Sequence, residues 1–92
     1  MAVRFFGVYR NISGRDELNA RFKDTILLKE AVDEIIKWMP DLEQVLIDPD
    51  LKDPRPNTLI LINGKEISIL KGLETMLKEG DEVVFLPLLH AG

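Results

Sequence analysis

The chain has 92 residues, 46% of them apolar, and carries 12 basic and 16 acidic residues for a net charge of −4. These totals predict one globular domain and argue against nucleic acid or an anionic membrane as the main partner. Cysteine is absent and there is one histidine, which excludes disulfides, a thiolate nucleophile and a metal site built from several such ligands. No apolar run reaches the ~20 residues of a membrane span and no signal-peptide pattern opens the chain, so we expect a cytoplasmic protein.

The first segment, Val3–Tyr9, has the composition of a strand. If Arg4 faces water, strand alternation places Phe6 and Val8 on the same, wetter face. Residues 11–14 carry turn-forming side chains, which predicts that the chain reverses there.

A second strand is predicted over residues 17–23, where polar and apolar side chains alternate. The apolar positions are Leu18, Ala20 and Phe22. Alternation of this kind is typical of a half-buried strand, and we expect it to pair with the first strand as a hairpin.

An amphipathic helix is predicted from Leu28, because apolar residues recur at steps of three and four as far as Met39. The stripe consists of Leu28, Ala31, Val32, Ile35, Ile36 and Met39. On the polar side, Asp33 and Lys37 have the spacing of an ion pair. Pro40 predicts the end of the helix, and Trp38 beside the stripe is expected to form a half-buried lid on the core.

The middle of the chain is less regular. Residues 42–47 fit either a short helix or a strand, and residues 48–57 form a polar loop containing three prolines. The acidic residues of this loop lack the glycine and distal glutamate of a calcium-binding loop, so we interpret it as a tolerated insertion.

Residues 59–62 predict a buried, central strand because the run shows little alternation. Asn63-Gly64 is a strong hairpin signal, and residues 65–69 are expected to return beside that strand. Residues 73–77 predict about one helical turn, closed by Gly80.

The last strand is predicted from Val83 to Leu86, after the turn-forming residues 78–81. Pro87 lacks an amide proton, so regular pairing should weaken there and leave residues 87–92 as a flexible tail. Such a tail reaches about 20 Å when extended at ~3.3 Å per residue. It ends in the α-carboxylate of Gly92, which at a pKa near ~3.5 is an anion at neutral pH.

The order of elements is a hairpin, one main helix, further strands and a final strand. This order predicts an α+β domain spanning residues 1–92, with the helix packed on one face of a mixed sheet. A last strand that returns beside the first would make it a β-grasp fold.

Three motifs occur in order along the chain: Val3-Arg4-Phe5-Phe6-Gly7 followed by Arg10 and Gly14, Ile62-Asn63-Gly64-Lys65, and Leu77-Lys78-Glu79-Gly80-Asp81-Glu82-Val83 running into Phe85-Leu86-Pro87 and a terminal glycine. These motifs resemble MoaD, the small subunit of molybdopterin synthase. Each motif is weak alone, but their order and their spacing to the chain end are specific together. The wider group includes ThiS, the thiamine sulfur carrier, and the ubiquitin-like small modifiers of archaea.

The resemblance implies a ubiquitin-like β-grasp fold that carries sulfur as a thiocarboxylate on Gly92. It also implies three protein partners: an E1-like, MoeB-like enzyme that adenylates Gly92 with ATP, a sulfur donor protein, and a MoaE-like large subunit. The chain itself would bind no cofactor and contain no self-contained active site. One departure is Ala91-Gly92, where these tails usually have two glycines. The extra methyl group bears on which activating enzyme accepts the tail.

An apolar partner-binding surface is predicted beside the tail. If Glu82 faces water, Val84 and Leu86 share its face and lie next to Phe6 and Val8. The predicted tail continues this surface through Pro87, Leu88, Leu89, His90 and Ala91 to Gly92.

Three functions fit the sequence. The first is a MoaD-like sulfur carrier in molybdopterin biosynthesis, and the second is a ubiquitin-like modifier joined through Gly92 to lysines of other proteins. The third is a β-grasp interaction module whose tail is inert. Replacement of a terminal oxygen by sulfur would indicate the first, and branched peptides on lysine would indicate the second.

Overall fold

A computed structural model describes residues 1–22 and 24–88 of the chain. Within these ranges the strands are β1 (Ala2–Phe5), β2 (Glu17–Asn19), β3 (Ile26–Leu27), β4 (Thr58–Ile62), β5 (Lys65–Glu66), β6 (Met76–Leu77) and β7 (Glu82–Pro87). The α-helices are α1 (Val8–Ser13), α2 (Leu28–Trp38) and α3 (Glu43–Leu46), and short 3₁₀ turns occur at Pro40–Leu42, Ile67–Ile69 and Gly72–Glu74.

The main sheet has five strands in the order β2-β1-β7-β4-β5. Its middle strand is the last one in the chain: β7 runs parallel to β1 and antiparallel to β4. Strands β3 and β6 form a separate two-stranded sheet. A final strand inserted beside the first, with one main helix, confirms the predicted α+β class and the β-grasp arrangement.

The core lies between α2 and one face of the main sheet, which we call the inner face. Val83 and Phe85 of β7 are buried there, and the rings of Phe85 and Phe5 stack with centroids 6.1 Å apart. On α2 the buried stripe is Leu28, Ala31, Val32 and Ile35, with Ile36 and Met39 partly buried. The helical periodicity therefore located this helix and its buried side correctly.

The first predicted strand, Val3–Tyr9, is too long. Strand β1 ends at Phe5, and Gly7 then adopts a positive φ of 58° that turns the chain into α1. Much of the predicted turn at residues 11–14 is consequently the last part of a helix, closed by Gly14 in the left-handed region. Alternation over a few residues does not separate a strand from a strand followed by one helical turn.

One side-chain pair predicted on α2 differs from the pair in the structure. Lys37 contacts Glu34 at 3.2 Å, so the predicted pair with Asp33 is wrong. The helix ends before Pro40 as predicted. Trp38 is 47% exposed and stacks on Phe22 with ring centroids 5.9 Å apart, so it is more exposed than the predicted lid and meets the core through Phe22.

Other differences lie in the second half of the chain. Residues 42–47 adopt the helical alternative as part of a 3₁₀ turn and α3. The predicted helical turn at residues 73–77 is instead a 3₁₀ turn followed by β6. Pairing with β3 makes this segment a strand: Met76 aligns with Leu27, 49 residues away, and Leu77 aligns with Ile26, 51 residues away.

Pairing of β7 continues beyond the proline. Pro87 lies opposite Thr58 in β4, and the amide of Leu88 donates to the carbonyl of Asn57 at 3.0 Å. In an antiparallel ladder only alternate residues exchange hydrogen bonds with a given neighbour, so Pro87 occupies a position that needs no donor toward β4. The tail predicted for residues 87–92 therefore starts too early, at a residue that belongs to the sheet.

Candidate partner-binding surface and chain terminus

The two faces of β7 differ as the alternation predicts. Val83 and Phe85 are each 1% exposed on the inner face, whereas Val84 and Leu86 on the outer face are half-buried. Glu82 shares the outer face, as the sequence analysis assumed. The predicted phase of this strand is therefore correct.

An apolar surface forms on the outer face where β7 pairs with β4. Leu86 lies opposite Leu59 and Val84 lies opposite Leu61. Opposed residues of neighbouring strands bring their Cβ atoms to about 5 Å, close enough for direct contact. We call these four residues, Leu59, Leu61, Val84 and Leu86, the outer-face patch.

Two further exposed apolar side chains lie at the ends of β7 and of its other neighbour, β1. Phe6, which follows β1, is 42% exposed, and Leu88, which follows β7, is 41% exposed. Contiguous exposed apolar surface on a small protein commonly marks a site for another protein. The surface extends along β7 toward the chain end, so a partner that covers it would also contact the start of the tail.

Leu59 and Leu61 were missed by the sequence analysis. The run Leu59–Ile62 was predicted to be a central strand, and β4 does lie inside the sheet, but its two faces differ: Ile60 and Ile62 are buried and the two leucines are half-buried. Four successive apolar residues carry no alternation. The outward orientation of Leu59 and Leu61 is evident only once β4 is paired with β7, whose outward residues align with these leucines.

Val8 does not occupy the strand position predicted for it. It is 39% exposed but begins α1, so alternation from Arg4 no longer relates it to Val84 and Leu86. Phe6 lies between the end of β1 and Gly7, where its exposure agrees with the prediction.

Charged side chains border the outer-face patch near the start of β7. Arg4 lies 3.6 Å from Glu82, and both side chains are substantially exposed. Arg4 also aligns with Glu17 of β2. A pair this exposed contributes little to stability, but it gives the border of the patch a mixed charge.

The start of β7 is fixed by a buried carboxylate. Asp81, 7% exposed, accepts hydrogen bonds from the backbone amide of Lys78 at 2.9 Å and from the side chain of Asn63 at 3.0 Å. Asn63 in turn accepts from the amide of Glu82 at 2.9 Å. Two of the motifs that resemble MoaD, around Asn63 and around Asp81, therefore meet in one hydrogen-bond network.

A buried tyrosine bonds to the part of the chain that lies opposite the end of β7. The hydroxyl of Tyr9 donates to the carbonyl of Asn57 at 3.1 Å and lies 2.6 Å from the hydroxyl of Thr58. Burial raises the pKa of Tyr9 above its ordinary value, and the hydrogen bond with Thr58 partly opposes this shift. The phenol is therefore neutral at physiological pH and is available as a donor.

The remaining predicted site residues, Leu89, His90, Ala91 and Gly92, lie outside the described part of the chain, and the roles assigned to them stay predictions. Within residues 1–22 and 24–88, no three His, Cys, Asp or Glu side chains are placed to hold a metal ion. The described surface thus offers contacts for a partner, through the outer-face patch and the start of the tail.

None of the helices in the described part of the chain is both long enough and apolar enough to cross a membrane.

The sheet order and the single main helix packed on it define a ubiquitin-like β-grasp protein. The solution structure of small archaeal modifier protein 1 from Methanosarcina acetivorans is similar with a TM-score of 0.83 and 28% identity, covering 99% of this chain and 94% of that one. Small archaeal modifier protein 3 of Haloferax volcanii is 26% identical over 92 residues, covering 100% of this chain and 98% of that protein. Ubiquitin-related modifier 1 of Schizosaccharomyces pombe is 36% identical over 58 residues, a match that spans 55% of this chain and 60% of that protein.

Residues 3–90 match the ThiS family. The chain belongs to this family of ubiquitin-like sulfur carriers and small modifiers. The match begins in β1 and extends past Leu88, so it includes the three motifs on which the resemblance was based, apart from the terminal glycine.

Proposed function

We propose that this protein is a sulfur carrier of the MoaD type, with Gly92 as the C-terminal residue of the mature protein. An E1-like, MoeB-like enzyme adenylates Gly92, a sulfur donor protein converts it to a thiocarboxylate, and a MoaE-like large subunit uses that sulfur in molybdopterin biosynthesis. Membership of the ThiS family is the observation that carries the proposal.

The proposed chemistry takes place at one carbonyl carbon. A carboxylate oxygen of Gly92 bonds to the α-phosphorus of ATP and pyrophosphate leaves, which replaces a poor leaving group by AMP. A sulfur nucleophile at the sulfide level then forms a carbon–sulfur bond as the carbon–oxygen bond to AMP breaks, with no change in oxidation state. The activating enzyme supplies ATP, the metal and the groups that stabilise the oxyanion, and this chain supplies the acyl group.

The outer-face patch supports the partner-binding part of the proposal. It lies on the strand that leads to the tail, and its leucines and valine are half-buried although they do not face the core. A partner that docks there would hold the tail close to its own surface. Val84, Leu86, Phe6 and Leu88 therefore remain proposed contacts, and Leu59 and Leu61 join them.

Mass spectrometry of the protein from its native cells tests the function. We expect an intact mass that shows one oxygen exchanged for sulfur, located at Gly92 by peptide fragmentation. A variant lacking Gly92 is the matched control and should not gain sulfur. Native protein that carries only an ordinary carboxylate, in cells actively making molybdopterin, would contradict the proposal.

A pair of surface variants tests the docking surface. Leu86→Asp places a charge in the outer-face patch and should weaken binding to the activating enzyme at least tenfold, with little change in unfolding midpoint. Ile69→Asp is the control, because Ile69 is 71% exposed on the connection between β5 and β6, outside the patch. Equal binding by the two variants would contradict the assignment of this surface.

A second candidate function is conjugation to other proteins through Gly92. Two relatives that match this chain are named as modifiers, which favours this alternative specifically. It requires the same adenylated terminus but a lysine amine in place of the sulfur nucleophile. Branched tryptic peptides that carry the end of this chain on lysine would support it, and their absence beside a thiocarboxylate would support the carrier.

A further inference from the structure

We propose that Tyr9 and Gly7 are positioning residues that hold Pro87 and Leu88 beside β4 and so set the position from which the chain continues toward Gly92. The inference rests on the function proposed above, because it concerns how Gly92 is presented to the activating enzyme. Neither residue touches the reacting atoms; each acts through Asn57, Pro87 or Leu88.

The carbonyl of Asn57 is the central atom of this arrangement. It accepts from the amide of Leu88 at 3.0 Å and from the hydroxyl of Tyr9 at 3.1 Å. A carbonyl oxygen is an acceptor only, so Tyr9 uses its proton here and accepts from the hydroxyl of Thr58 at 2.6 Å. Tyr9 is 1% exposed, which removes competition from water. The hydrogen bond from the Leu88 amide, which directly follows β7, therefore ends on an oxygen that also bonds to a buried side chain.

Gly7 holds the neighbouring residue from the other side. Its φ is 58°, and a Cβ added there would lie 2.8 Å from Cγ of Pro87 and 3.4 Å from Cδ. The proline ring thus packs directly on the backbone of Gly7, in space that any other residue would fill. The absence of a side chain at residue 7 lets Pro87 stay in line with β4, which brings the amide of Leu88 to Asn57.

The reach of the tail follows from this point. Four residues come after Leu88, and at ~3.3 Å each they span at most about 13 Å. Release of Leu88 and Pro87 would move the last held position of the described chain two residues further from Gly92, so Gly92 could reach a larger volume. Those residues would have to be ordered again when the tail enters an active site, so the cost appears as weaker productive binding.

Amide hydrogen exchange in the full chain tests the positioning directly. Tyr9→Phe keeps the ring but removes the donor, and we expect the Leu88 amide to exchange at least threefold faster while the amide of Phe85 changes less. Thr58→Val is the matched control: it removes the other partner of Tyr9 but leaves its bond to Asn57, so Leu88 should stay closer to the wild type. Unchanged Leu88 exchange in Tyr9→Phe would overturn the role of Tyr9.

Two glycine variants test the packing on Pro87. Gly7→Ala and Gly14→Ala both introduce a side chain at a positive φ, but nothing lies within 4 Å of a Cβ added at Gly14. Backbone strain is common to both, so faster Leu88 exchange confined to Gly7→Ala identifies the contact with Pro87. Similar exchange at Leu88 in the two variants would contradict the inference for Gly7.

Adenylation kinetics with the E1-like enzyme connect the positioning to function. We expect Tyr9→Phe and Gly7→Ala to raise KM for this protein roughly fivefold, with kcat changed less, because the chemistry at Gly92 is the same once the tail is bound. Wild-type KM in both variants would overturn the functional part of the inference. If the wild-type protein itself is not adenylated, the proposed function fails, whereas the exchange experiments still decide whether these residues hold the tail.

Discussion

The two ends of β7 are held in different ways. At its start, the side chains of Asp81 and Asn63 bond to backbone amides and to each other. At its end, one backbone carbonyl, that of Asn57, accepts from Tyr9 and from Leu88, and Pro87 packs on a bare glycine. Hydrogen bonds to the buried carboxylate of Asp81 hold the start, whereas the packing of Pro87 on Gly7 and the hydroxyl of Tyr9 support the end.

The stronger hydrogen bonding lies at the end of the strand where the register of β7 has to be fixed. Because side chains alternate along a strand, a slip of one residue would exchange Val83 and Phe85 for Val84 and Leu86 in the core, so the start must fix the register. No buried core residue follows Phe85 in the described part of β7, so the end can be held by fewer hydrogen bonds without exposing the core.

The largest effect is expected from Asp81→Ala at the start of β7. The substitution removes the acceptor of the Lys78 amide and of the Asn63 side chain in a buried position. We expect the free energy of unfolding to fall by about 1–3 kcal/mol, as for other buried donors that lose their acceptor. Urea denaturation measures it.

Asp81→Asn is the control for that experiment, since it keeps an acceptor oxygen in nearly the same shape and should lose clearly less. A free energy of unfolding for Asp81→Ala within ~0.3 kcal/mol of the wild type would show that the start is no more strongly held than the end.

The sequence revealed the start of β7 more readily than its end. Asn63-Gly64 and the residues before Glu82 are local turn signals, and each can be interpreted without knowing the fold. The Tyr9 hydroxyl bonds to residues 48 and 49 positions away, and nothing near Tyr9 in sequence indicates those partners.

The contrast between local signals and long-range contacts also explains why only half of the outer-face patch was predicted. Alternation in β7 identified Val84 and Leu86, but Leu59 and Leu61 became visible only when β4 was paired with β7. Strand β6 was mistaken for a helical turn for the same reason, because its pairing with β3 is a tertiary contact. Local pattern predicted the class, the main helix and the phase of β7, and long-range pairing decided the rest.

An intermediate effect is expected at the end of β7 from Tyr9→Phe, with a distinctive dependence on pH. The variant should lose about 1 kcal/mol at neutral pH, the usual value of a hydrogen bond. Burial raises the pKa of Tyr9 above 10.0 in the folded protein, so the unfolded chain ionises first. The contribution of Tyr9 is therefore fully present below pH 10.0 and is lost as the pH rises through the folded pKa.

Urea denaturation of both proteins, from neutral pH to above the ordinary tyrosine pKa of 10.0, measures this dependence. The difference in unfolding free energy between wild type and Tyr9→Phe should narrow at high pH, and titration of lysines cancels because both proteins share them. The chain has one tyrosine, so phenolate absorbance reports its pKa without ambiguity. A constant difference across this range, with an ordinary phenolate pKa, would show that the phenol is not held as described.

The smallest effect on the free energy of unfolding is expected from a substitution in the loop that leads to Asn57. This experiment tests whether the loop strengthens the end of β7. The side chain of Arg55 donates to the carboxylate of Asp53 at 3.0 Å, and this hydrogen bond lowers the pKa of Asp53 below 3.8. Its stabilising contribution is therefore present above pH 3.8 and lost as the pH falls through the folded pKa. Because the Arg55 side chain is 56% exposed, we expect Asp53→Asn to lose no more than about 0.5 kcal/mol at neutral pH, by urea denaturation, and nothing below the folded pKa.

Asp50→Asn, on an exposed residue of the same loop, controls for the charge alone. A loss of ~2 kcal/mol or more, accompanied by faster exchange of the Leu88 amide, would mean that the loop holds the end of β7 as firmly as Asp81 holds its start, because exposed ion pairs alone do not reach that size.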